Sequence, residues 1–452
     1  VAPQVSPTSV TTNRTTATWT ISAEGGTSVT TCRVLRDGAV FADWTTCGAT
    51  FTLPLGADGS YVLEVVSTDP VGPGPTTSAS YLLDTLAPVA PQLTGPTGPS
   101  PNRTPSWTVG TEAGTSVECR LLGAGTVVLD WAPCAGTFSA DLTGLPDGGY
   151  VLEARATDLA GNVSPVGTSV SYVLDTTAPV AVVVTGPTGP SQLRSPAFTW
   201  SGEAGARAEC QLSRDGVVVG GWVTCTSGYA PVLDRDGTWT VTVRLTDAAG
   251  NVSEPATSGG YVLDTTAPPT PVVTPPQTPG RDLAPSWGVI VESGASMECR
   301  LSGPDGVTGA WAPCTLPHVT SLTGRPDGAY VLEVRATDVA GNISPVGSGT
   351  YVLDTVPPAA AVITTPASPG RSRIPTFTFT VEPGASTRCR VTSGSTVVSD
   401  FVPCSGSYTV DLTGLPDGTY TLSVRVSDAA GNPGPAATGT YVLDTTGPAA
   451  PV

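Results

Sequence analysis

The chain has 452 residues and a formal net charge of −17, with 37 Asp and Glu residues against 20 basic residues, all of which are Arg. An acidic chain without a basic stripe is a poor partner for nucleic acid or for an anionic membrane surface. No stretch approaches the ~20 consecutive apolar residues of a membrane span, so no membrane-spanning role is expected of this segment.

A motif that begins with Tyr and ends with Pro occurs five times, at residues 81–88, 172–179, 261–268, 351–358 and 441–448. An interval of about 90 residues is too long for a solenoid unit and matches a small domain with its own core. The sequence therefore predicts five domains and a piece of a longer array. The predicted limits are 1–84, 85–175, 176–264, 265–354 and 355–444, with 445–452 as the start of a linker to a further domain.

Short alternations of apolar and polar residues, separated by Gly, Pro and Asp, fill each repeat. In the second repeat they predict strands at residues 105–109, 117–122, 126–131, 138–142, 150–157 and 169–174. Strands at this spacing, with turn residues between them, are typical of an antiparallel Greek-key sandwich. No long stretch carries a helical apolar period, so the fold class is all-β, with almost no helix.

Two aromatic positions recur in every repeat, and we expect both rings to lie in the core, beside the cysteines. The first is Trp19, Trp107, Phe198, Trp287 and Phe377, and the second is Trp44, Trp131, Trp222, Trp311 and Phe401. The alternative is a platform on which carbohydrate stacks. Tyr150 follows a Gly turn at the start of a strand, as in a tyrosine corner. Trp239 replaces this Tyr in the third repeat, where the hydroxyl bond should be absent.

Ten cysteines form one pair per repeat, always 15 residues apart. The pairs are Cys32 with Cys47, Cys119 with Cys134, Cys210 with Cys225, Cys299 with Cys314, and Cys389 with Cys404. Two cysteines without a nearby His cannot supply the four ligands of a structural zinc site. An even count at a fixed spacing instead predicts one disulfide per domain and an oxidising, extracellular compartment.

The order of these motifs resembles the tandem immunoglobulin-like repeats of bacterial surface proteins and adhesin stalks. Trp is followed by Glu-x-Gly, the two Cys, Asp-Gly-x-Tyr, Thr-Asp-x-Ala-Gly-Asn and Tyr-Val-Leu-Asp-Thr. The order is also similar to repeats in the flagellar hairs, called mastigonemes, of green algae. The resemblance covers all five repeats and implies an immunoglobulin-like fold, but it says little about function. The first repeat departs from it, with Asp69-Pro-Val-Gly in place of Asp-x-Ala-Gly-Asn.

Acidic and amide side chains are expected to gather where one domain meets the next. In an immunoglobulin-like topology, the B–C and F–G loops lie at the pole where the chain enters, close to the last strand of the preceding domain. The predicted groups are Asp84 with Glu112, Asp158 and Asn162; Asp175 with Glu203, Asp247 and Asn251; Asp264 with Glu292, Asp338 and Asn342; and Asp354 with Glu382, Asp428 and Asn432.

Oxygen-rich groups of this kind predict a structural Ca²⁺ at each joint, because this ion takes 6 to 8 oxygen ligands. Related repeats in bacterial adhesins hold calcium at such joints, and the resemblance carries that expectation to these positions. The alternative needs no ion. Asp-x-Ala-Gly-Asn is also a stable turn, and Asp-Thr-Thr-Ala-Pro is also a stiff extended linker.

Five Asn-x-Ser/Thr sequons are present, and Asn13 and Asn102 are the predicted glycosylation sites, because both precede a strand on an exposed loop. Asn162, Asn251 and Asn342 cannot both bind an ion and carry a glycan through one amide, so they rank lower.

The repeats favour a structural role over catalysis. His318 is the only His, so no catalytic triad can recur, and no phosphate loop or zinc-protease motif is present. The sequence predicts an extracellular, non-enzymatic stalk protein that gives reach and mechanical integrity to a cell-surface appendage or filament. Its partners are neighbouring domains of the same longer chain, with possible self-association. The alternative is an adhesin or carbohydrate-binding surface protein whose domains carry ligand sites.

Overall fold

The computed structural model describes residues 1–23, 25–306 and 308–447, which form strands and no helix. Domain one contains β1 (Gln4–Ser6), β2 (Ser9–Thr12), β3 (Thr16–Ser22), β4 (Val29–Arg36), β5 (Ala39–Thr46), β6 (Thr50–Pro54), β7 (Gly59–Asp69), β8 (Gly72–Pro73) and β9 (Thr77–Leu83). Domain two contains β10 (Gln92–Thr94), β11 (Gly98–Ser100), β12 (Ser106–Gly110), β13 (Ser116–Gly123), β14 (Thr126–Pro133), β15 (Gly136–Ser139), β16 (Gly148–Thr157), β17 (Gly167–Thr168) and β18 (Tyr172–Leu174). Domain three contains β19 (Gly189–Ser191), β20 (Arg207–Arg214), β21 (Val217–Cys225), β22 (Gly237–Thr246), β23 (Ala256–Thr257) and β24 (Tyr261–Leu263).

The last two domains repeat the same plan. Domain four contains β25 (Val272–Thr274), β26 (Ser286–Ile290), β27 (Ser296–Ser302), β28 (Ala312–Pro313), β29 (His318–Val319), β30 (Gly328–Thr337) and β31 (Gly347–Leu353). Domain five contains β32 (Val362–Thr364), β33 (Thr376–Thr380), β34 (Ser386–Ser393), β35 (Thr396–Pro403), β36 (Ser407–Thr409), β37 (Gly418–Ser427) and β38 (Ala437–Leu443).

Each domain packs a large sheet against a smaller one. In domain one the large sheet has the order β2-β9-β7-β4-β5, and the small sheet has the order β1-β3-β6. The large sheets that follow are β11-β18-β16-β13-β14, β19-β24-β22-β20-β21, β28-β27-β30-β31 and β35-β34-β37-β38. The small sheets that follow are β10-β12-β15, β25-β26-β29 and β32-β33-β36, and in domain three antiparallel bridges from Thr185 to Thr199 and from Phe198 to Tyr229 take their place. This is the predicted immunoglobulin-like sandwich, and the all-β prediction is confirmed.

The alternation of the strands explains the burial. Along β16, Tyr150, Leu152, Ala154 and Ala156 are buried, while the residues between them are half-buried on the other face. Burial on one face of a strand gives this period of two. Five buried clusters result, and each lies inside one of the predicted domains. The domain limits themselves stay a prediction, and residues 448–452 of the expected linker lie outside the described residues.

The cysteine pairs form disulfides within the domains. Cys119 lies on β13 and Cys134 follows β14, with Cα atoms 5.8 Å apart, so the bond staples two neighbouring strands of the large sheet. The other disulfides are Cys32–Cys47, Cys210–Cys225, Cys299–Cys314 and Cys389–Cys404. Closing a loop of this size contributes about 3 kcal/mol in the chain-entropy model.

One aromatic expectation is right and the other is wrong. Trp107 is fully buried, as are Trp19, Phe198, Trp287 and Phe377. Trp131 is instead half-exposed on the outer face of the large sheet, and Trp44 is 40% exposed. Trp131 and Cys134 are three residues apart, and side chains at odd spacing along a strand point to opposite faces. The second ring therefore cannot share the inner face with the disulfide.

The tyrosine corner is present, and its replacement keeps the bond. The Tyr150 hydroxyl donates to the carbonyl oxygen of Pro146 at 2.6 Å. In domain three, Trp239 Nε1 donates to the carbonyl oxygen of Arg235, also four residues earlier, at 3.0 Å. The hydroxyl bond is absent there, as expected, and the indole N–H replaces the O–H as donor, so the corner itself is kept.

Candidate functional site at the domain joints

The loop that follows β16 is a closed turn. Asp158 Oδ1 accepts from the backbone N–H of Asn162 at 2.9 Å, and the Asp158 N–H donates to the Asn162 carbonyl oxygen at 3.1 Å. Gly161 completes the turn at a φ of 89°, a left-handed value that glycine adopts at little cost. The turn fixes the side chain of Asn162, which is only 8% exposed, toward the preceding domain.

The Asn162 amide joins two domains. Its Nδ2 donates to the carbonyl oxygen of Asp84, the last residue of domain one, at 2.8 Å. The same nitrogen donates to Asp158 Oδ2 at 2.9 Å, so both amide hydrogens are used. We call this arrangement the asparagine clamp. The clamp recurs as Asn251 to Asp175 at 3.0 Å, Asn342 to Asp264 at 3.0 Å and Asn432 to Asp354 at 2.8 Å.

The residue whose carbonyl is clamped also shapes the linker. Asp84 Oδ1 accepts from the N–H of Leu86 at 3.0 Å, the Asx turn expected of Asp before a turn. The same bond, from the N–H two residues later, is accepted at the other linkers by Asp175, Asp264, Asp354 and Asp444. Behind the linker, Asp147 accepts from the N–H of Thr176 and from the hydroxyl of Thr177. The start of the second linker is therefore held by Asp175 itself and by Asp147 of the same domain.

The predicted carboxylates do meet at the first joint. A cavity of about 470 Å³ there is lined by Asp84, Glu112 and Asp158, together with the apolar Leu86 and Leu159. Glu112 Oε2 accepts from the N–H of Val89 in the linker at 3.4 Å. At the other joints, the corresponding Glu203, Glu292 and Glu382 lie in a turn, in which each backbone carbonyl accepts from the residue three positions on.

The carboxylates do not close around a common point. A metal site needs at least three Asp, Glu, His or Cys ligand atoms close together. Within the described residues, only Cys299, Cys314 and His318 bring three such atoms within 4.8 Å of one another, and the two sulfurs are bonded to each other. At the joint, Asp158 Oδ2 and the Asp84 carbonyl oxygen already accept from Asn162. These are oxygens that a calcium ion would need. Calcium at the joints therefore stays a prediction.

The clamp also shifts the titration of its aspartates. Partial desolvation raises the pKa of Asp158. Hydrogen bonds from the Asn162 side chain and from backbone N–H groups lower it by a larger amount together, so the pKa lies below its ordinary value. The same balance lowers the pKa of Asp247, Asp338 and Asp428. The carboxylates are thus held in the charged form that accepts the clamp.

The first joint has a contact that sequence reasoning missed. The N–H of Asn13 in domain one donates to the carbonyl oxygen of Ala160 in domain two at 3.0 Å. In domain one itself, the loop that replaces Asp-x-Ala-Gly-Asn is closed by Asp69 Oδ1, which accepts from Val71 and Gly72. That loop has no asparagine, so it carries no clamp.

The sequons divide by burial. Asn13 and Asn102 are exposed, as a glycan requires. Asn162 and Asn342 are each 8% exposed, and the Nδ2 atom that would bear the sugar donates across the joint. Asn251 is half-buried and uses its Nδ2 in the same way. The clamp and a glycan are therefore mutually exclusive at these three positions, and occupancy at Asn13 and Asn102 stays a prediction.

The second aromatic row forms an outer face rather than a core. Arg120 and Arg155 lie over the Trp131 ring, with guanidinium carbons 4.8 and 4.4 Å from its centroid. Both contacts are cation–π interactions, in which a guanidinium group lies within about 6 Å of the ring centroid. Trp311 is covered in the same way, at 4.6 Å by each of two arginines. These rings therefore leave little free surface on which a sugar could stack.

Comparison with known proteins supports the fold. Residues 371–445 match the family described as bacterial Ig-like domain. The chain is 31% identical to exoglucanase B of Cellulomonas fimi over 47% of its length, and 29% identical to endoglucanase B of the same organism over 54%. It covers 21% and 25% of these proteins, so it spans a quarter or less of the curated relatives it matches.

Two of the similar solved structures come from adhesion proteins. A tetra-tandem repeat from the extending region of a large adhesion protein gives a TM-score of 0.35 at 18% identity, over 79% of this chain and 100% of that one. A bacterial ice-binding adhesin gives 0.35 at 17% identity, over 57% and 96%. The sheets and the five buried clusters of the chain itself make it a series of immunoglobulin-like domains. Its predicted likeness to algal flagellar hairs stays a prediction. No helix in the described residues is long and apolar enough to cross a membrane.

Proposed function

We propose that this array is a section of an extracellular stalk, whose work is to hold a terminal part of a longer protein away from a surface. The observation that carries the proposal is the asparagine clamp, which recurs with the same two kinds of acceptor at four successive joints. A joint held by both the linker and the next domain resists bending more than a linker alone. Repetition of one such joint is what a spacer needs.

Composition and covalent chemistry support this role. One disulfide in each small domain adds stability that a core of this size lacks, and such bonds persist outside the cell. The long strand of each large sheet, such as β16 with 10 residues, extends about 33 Å. With its linker, each domain should advance ~40 Å, and five domains should span ~200 Å.

A second candidate is a carbohydrate-binding surface protein. The partial matches to two glucanases favour it, because the matched segments belong to proteins whose names denote action on glucans. Both candidates are non-catalytic. A carbohydrate-binding array should be retained on a neutral glucan, whereas a stalk should not be.

Small-angle scattering of the whole chain tests the stalk. We expect a maximum dimension near ~200 Å, and a shorter, broader distance distribution when all four clamps are removed by Asn162→Ala, Asn251→Ala, Asn342→Ala and Asn432→Ala. Asn102→Ala is the matched control, because Asn102 is exposed and its side chain bonds to Thr104 of its own loop, with no bond across a joint among the described residues. An unchanged curve for the four-fold variant would refute the clamp. Loosening of the unmodified chain by EDTA would show that an ion holds the joint.

A further inference from the structure

The outer face of the large sheet carries crossed ion pairs. In domain two, Glu118 lies opposite Arg155 and Arg120 lies opposite Glu153, on neighbouring strands β13 and β16. Arg155 donates to Glu118 at 2.8 Å, and Arg120 Nε donates to Glu153. The four charges on this face therefore cancel.

Domain four repeats the arrangement. Arg335 pairs with Glu298 at 2.7 Å, and Arg300 pairs with Glu333 at 2.6 Å, again from strands that are neighbours in the large sheet. Opposite charges that face each other across a sheet stabilise it, whereas like charges directly opposite destabilise it. The pattern in domains two and four is thus the one that physical chemistry favours.

Domain five breaks this pattern. Arg388 stands where domain two has Glu118, directly opposite Arg425, and Ser423 stands opposite Arg390 where domain two has Glu153. In the described part of the chain, none of these three arginines forms an ion pair. Arg390 Nε is buried and has no acceptor, although the corresponding Arg120 Nε has one.

The three guanidinium groups are held together around one ring. Arg425 lies 4.1 Å from the centroid of Phe401, and Arg390 lies 5.7 Å from it. Arg388 Nη2 donates to the carbonyl oxygen of Phe401 at 2.7 Å. Arg388 and Arg425 are exposed. The nearby Asp400 accepts from the N–H of Phe401 and forms no ion pair within the described residues. The face therefore carries three positive charges on a chain of net charge −17.

We propose that this arginine face of domain five, formed by Arg388, Arg390 and Arg425, binds an acidic polysaccharide through its carboxylates. Guanidinium groups match carboxylate geometry and form charge-assisted hydrogen bonds with it. An anion across the face would also remove the repulsion between Arg388 and Arg425. The inference is separate from the stalk role, since the clamps lie at the joints.

The position of the charges favours a polysaccharide over an acidic peptide. Strands β34 and β37 are the two inner strands of the sheet β35-β34-β37-β38, so the arginines stand in the middle of its face. A peptide that adds to a sheet is held by backbone bonds at an edge strand. A ligand on this face is held by side chains alone, which suits a polymer with a carboxylate on successive units.

The test measures binding of the whole chain to polygalacturonate by calorimetry, at low and high salt. The variant Arg388→Glu with Ser423→Glu gives domain five the pairing of domain two, so it should fold at least as stably. We expect the affinity of this variant for polygalacturonate to fall by about tenfold or more, the effect of losing one charge-assisted contact. Its melting temperature, measured in parallel, separates lost binding from lost folding.

A reciprocal variant is the matched control. Glu118→Arg with Glu153→Ser should give domain two the arginine face and add a second site for polygalacturonate. Unmodified chain that does not bind polygalacturonate, or binding that the domain five variant leaves unchanged, would overturn the proposal. Equal binding to poly-glutamate would overturn the choice of a polysaccharide. Retention on a neutral glucan of the same length would also overturn it, because charge would then not be the determinant.

Discussion

The substitution Asn432→Asp separates the two explanations of the joints. Asn432 is 5% exposed and its Nδ2 donates to the Asp354 carbonyl oxygen at 2.8 Å and to Asp428 Oδ2 at 3.0 Å. Aspartate has nearly the same shape but offers only acceptors at neutral pH. In the clamp it would face two oxygens, whereas in a calcium site it would add a charged ligand. Asn432 is followed by Pro433, so no glycan complicates the comparison.

The size of the effect follows from the lost bond. The hydrogen bond from Asn432 to the Asp354 carbonyl contributes about 1 kcal/mol, so its loss should shift the closed-to-open equilibrium of the fourth joint about fivefold toward the open form. Repulsion from Asp428 acts in the same direction. When two carboxylates share a site, the pKa of one of them rises. As the pH falls and the pair takes up a proton, we expect the closed form of the joint to be partly restored.

Spin labels provide the assay. Cysteines placed at Val319 in domain four and Val397 in domain five, both exposed, report the distance between the two domains. We expect Asn432→Asp to broaden the distance distribution at pH 7, with or without calcium, and the broadening to diminish in acid. Asn102→Asp, which adds the same charge at an exposed loop, should leave it unchanged. A distribution that calcium narrows in the variant would refute the direct clamp and support an ion at the joint.

Three further predictions concern stability. Trp239→Phe removes the indole donor to Arg235 and should destabilise domain three by about 1 kcal/mol or more, whereas Trp239→Tyr, which restores a hydroxyl, should lose less in calorimetry. Replacing Cys210 and Cys225 with Ala should cost about 3 kcal/mol in the same domain, and an unchanged melting temperature would contradict the staple. Hydrogen bonds outweigh desolvation and lower the pKa of Asp247 in the fold. The charged Asp247 therefore stabilises the joint at neutral pH, and this stabilisation is lost as the pH falls through the lowered pKa. Scattering should therefore show joints loosening only below about pH 4, and loosening near pH 6 would contradict this assignment.

Several features of the fold were readable from local pattern. The repeat spacing predicted five cores, and the alternation around Tyr150 predicted the long strand β16. The short strands β10 and β11 were missed, because three residues are too few to show an alternation, and β11 consists of Gly, Pro and Ser. The misplacement of Trp131 was avoidable, since its odd spacing from Cys134 already put the two side chains on opposite faces.

The joints were predictable in composition and not in bonding. A Greek-key topology brings Asp84, Glu112 and Asp158 to one pole, and the structure places them in one cavity. Which atom the Asn162 amide contacts depends on the position of the neighbouring domain, which no local pattern encodes. The amide therefore suggested an ion ligand in the sequence, and in the structure it is a donor to the Asp84 carbonyl.

The sequence by itself determined the number of domains, their all-β class and the cysteine partners, because each depends on residues close together along the chain. Tertiary structure decided the asparagine clamp and the arginine face of domain five. The net charge of −17 argued against nucleic acid and anionic membranes as partners, yet strand register sets Arg388 beside Arg425. A net charge sums over the whole chain, whereas a ligand responds to the few charges that folding places side by side.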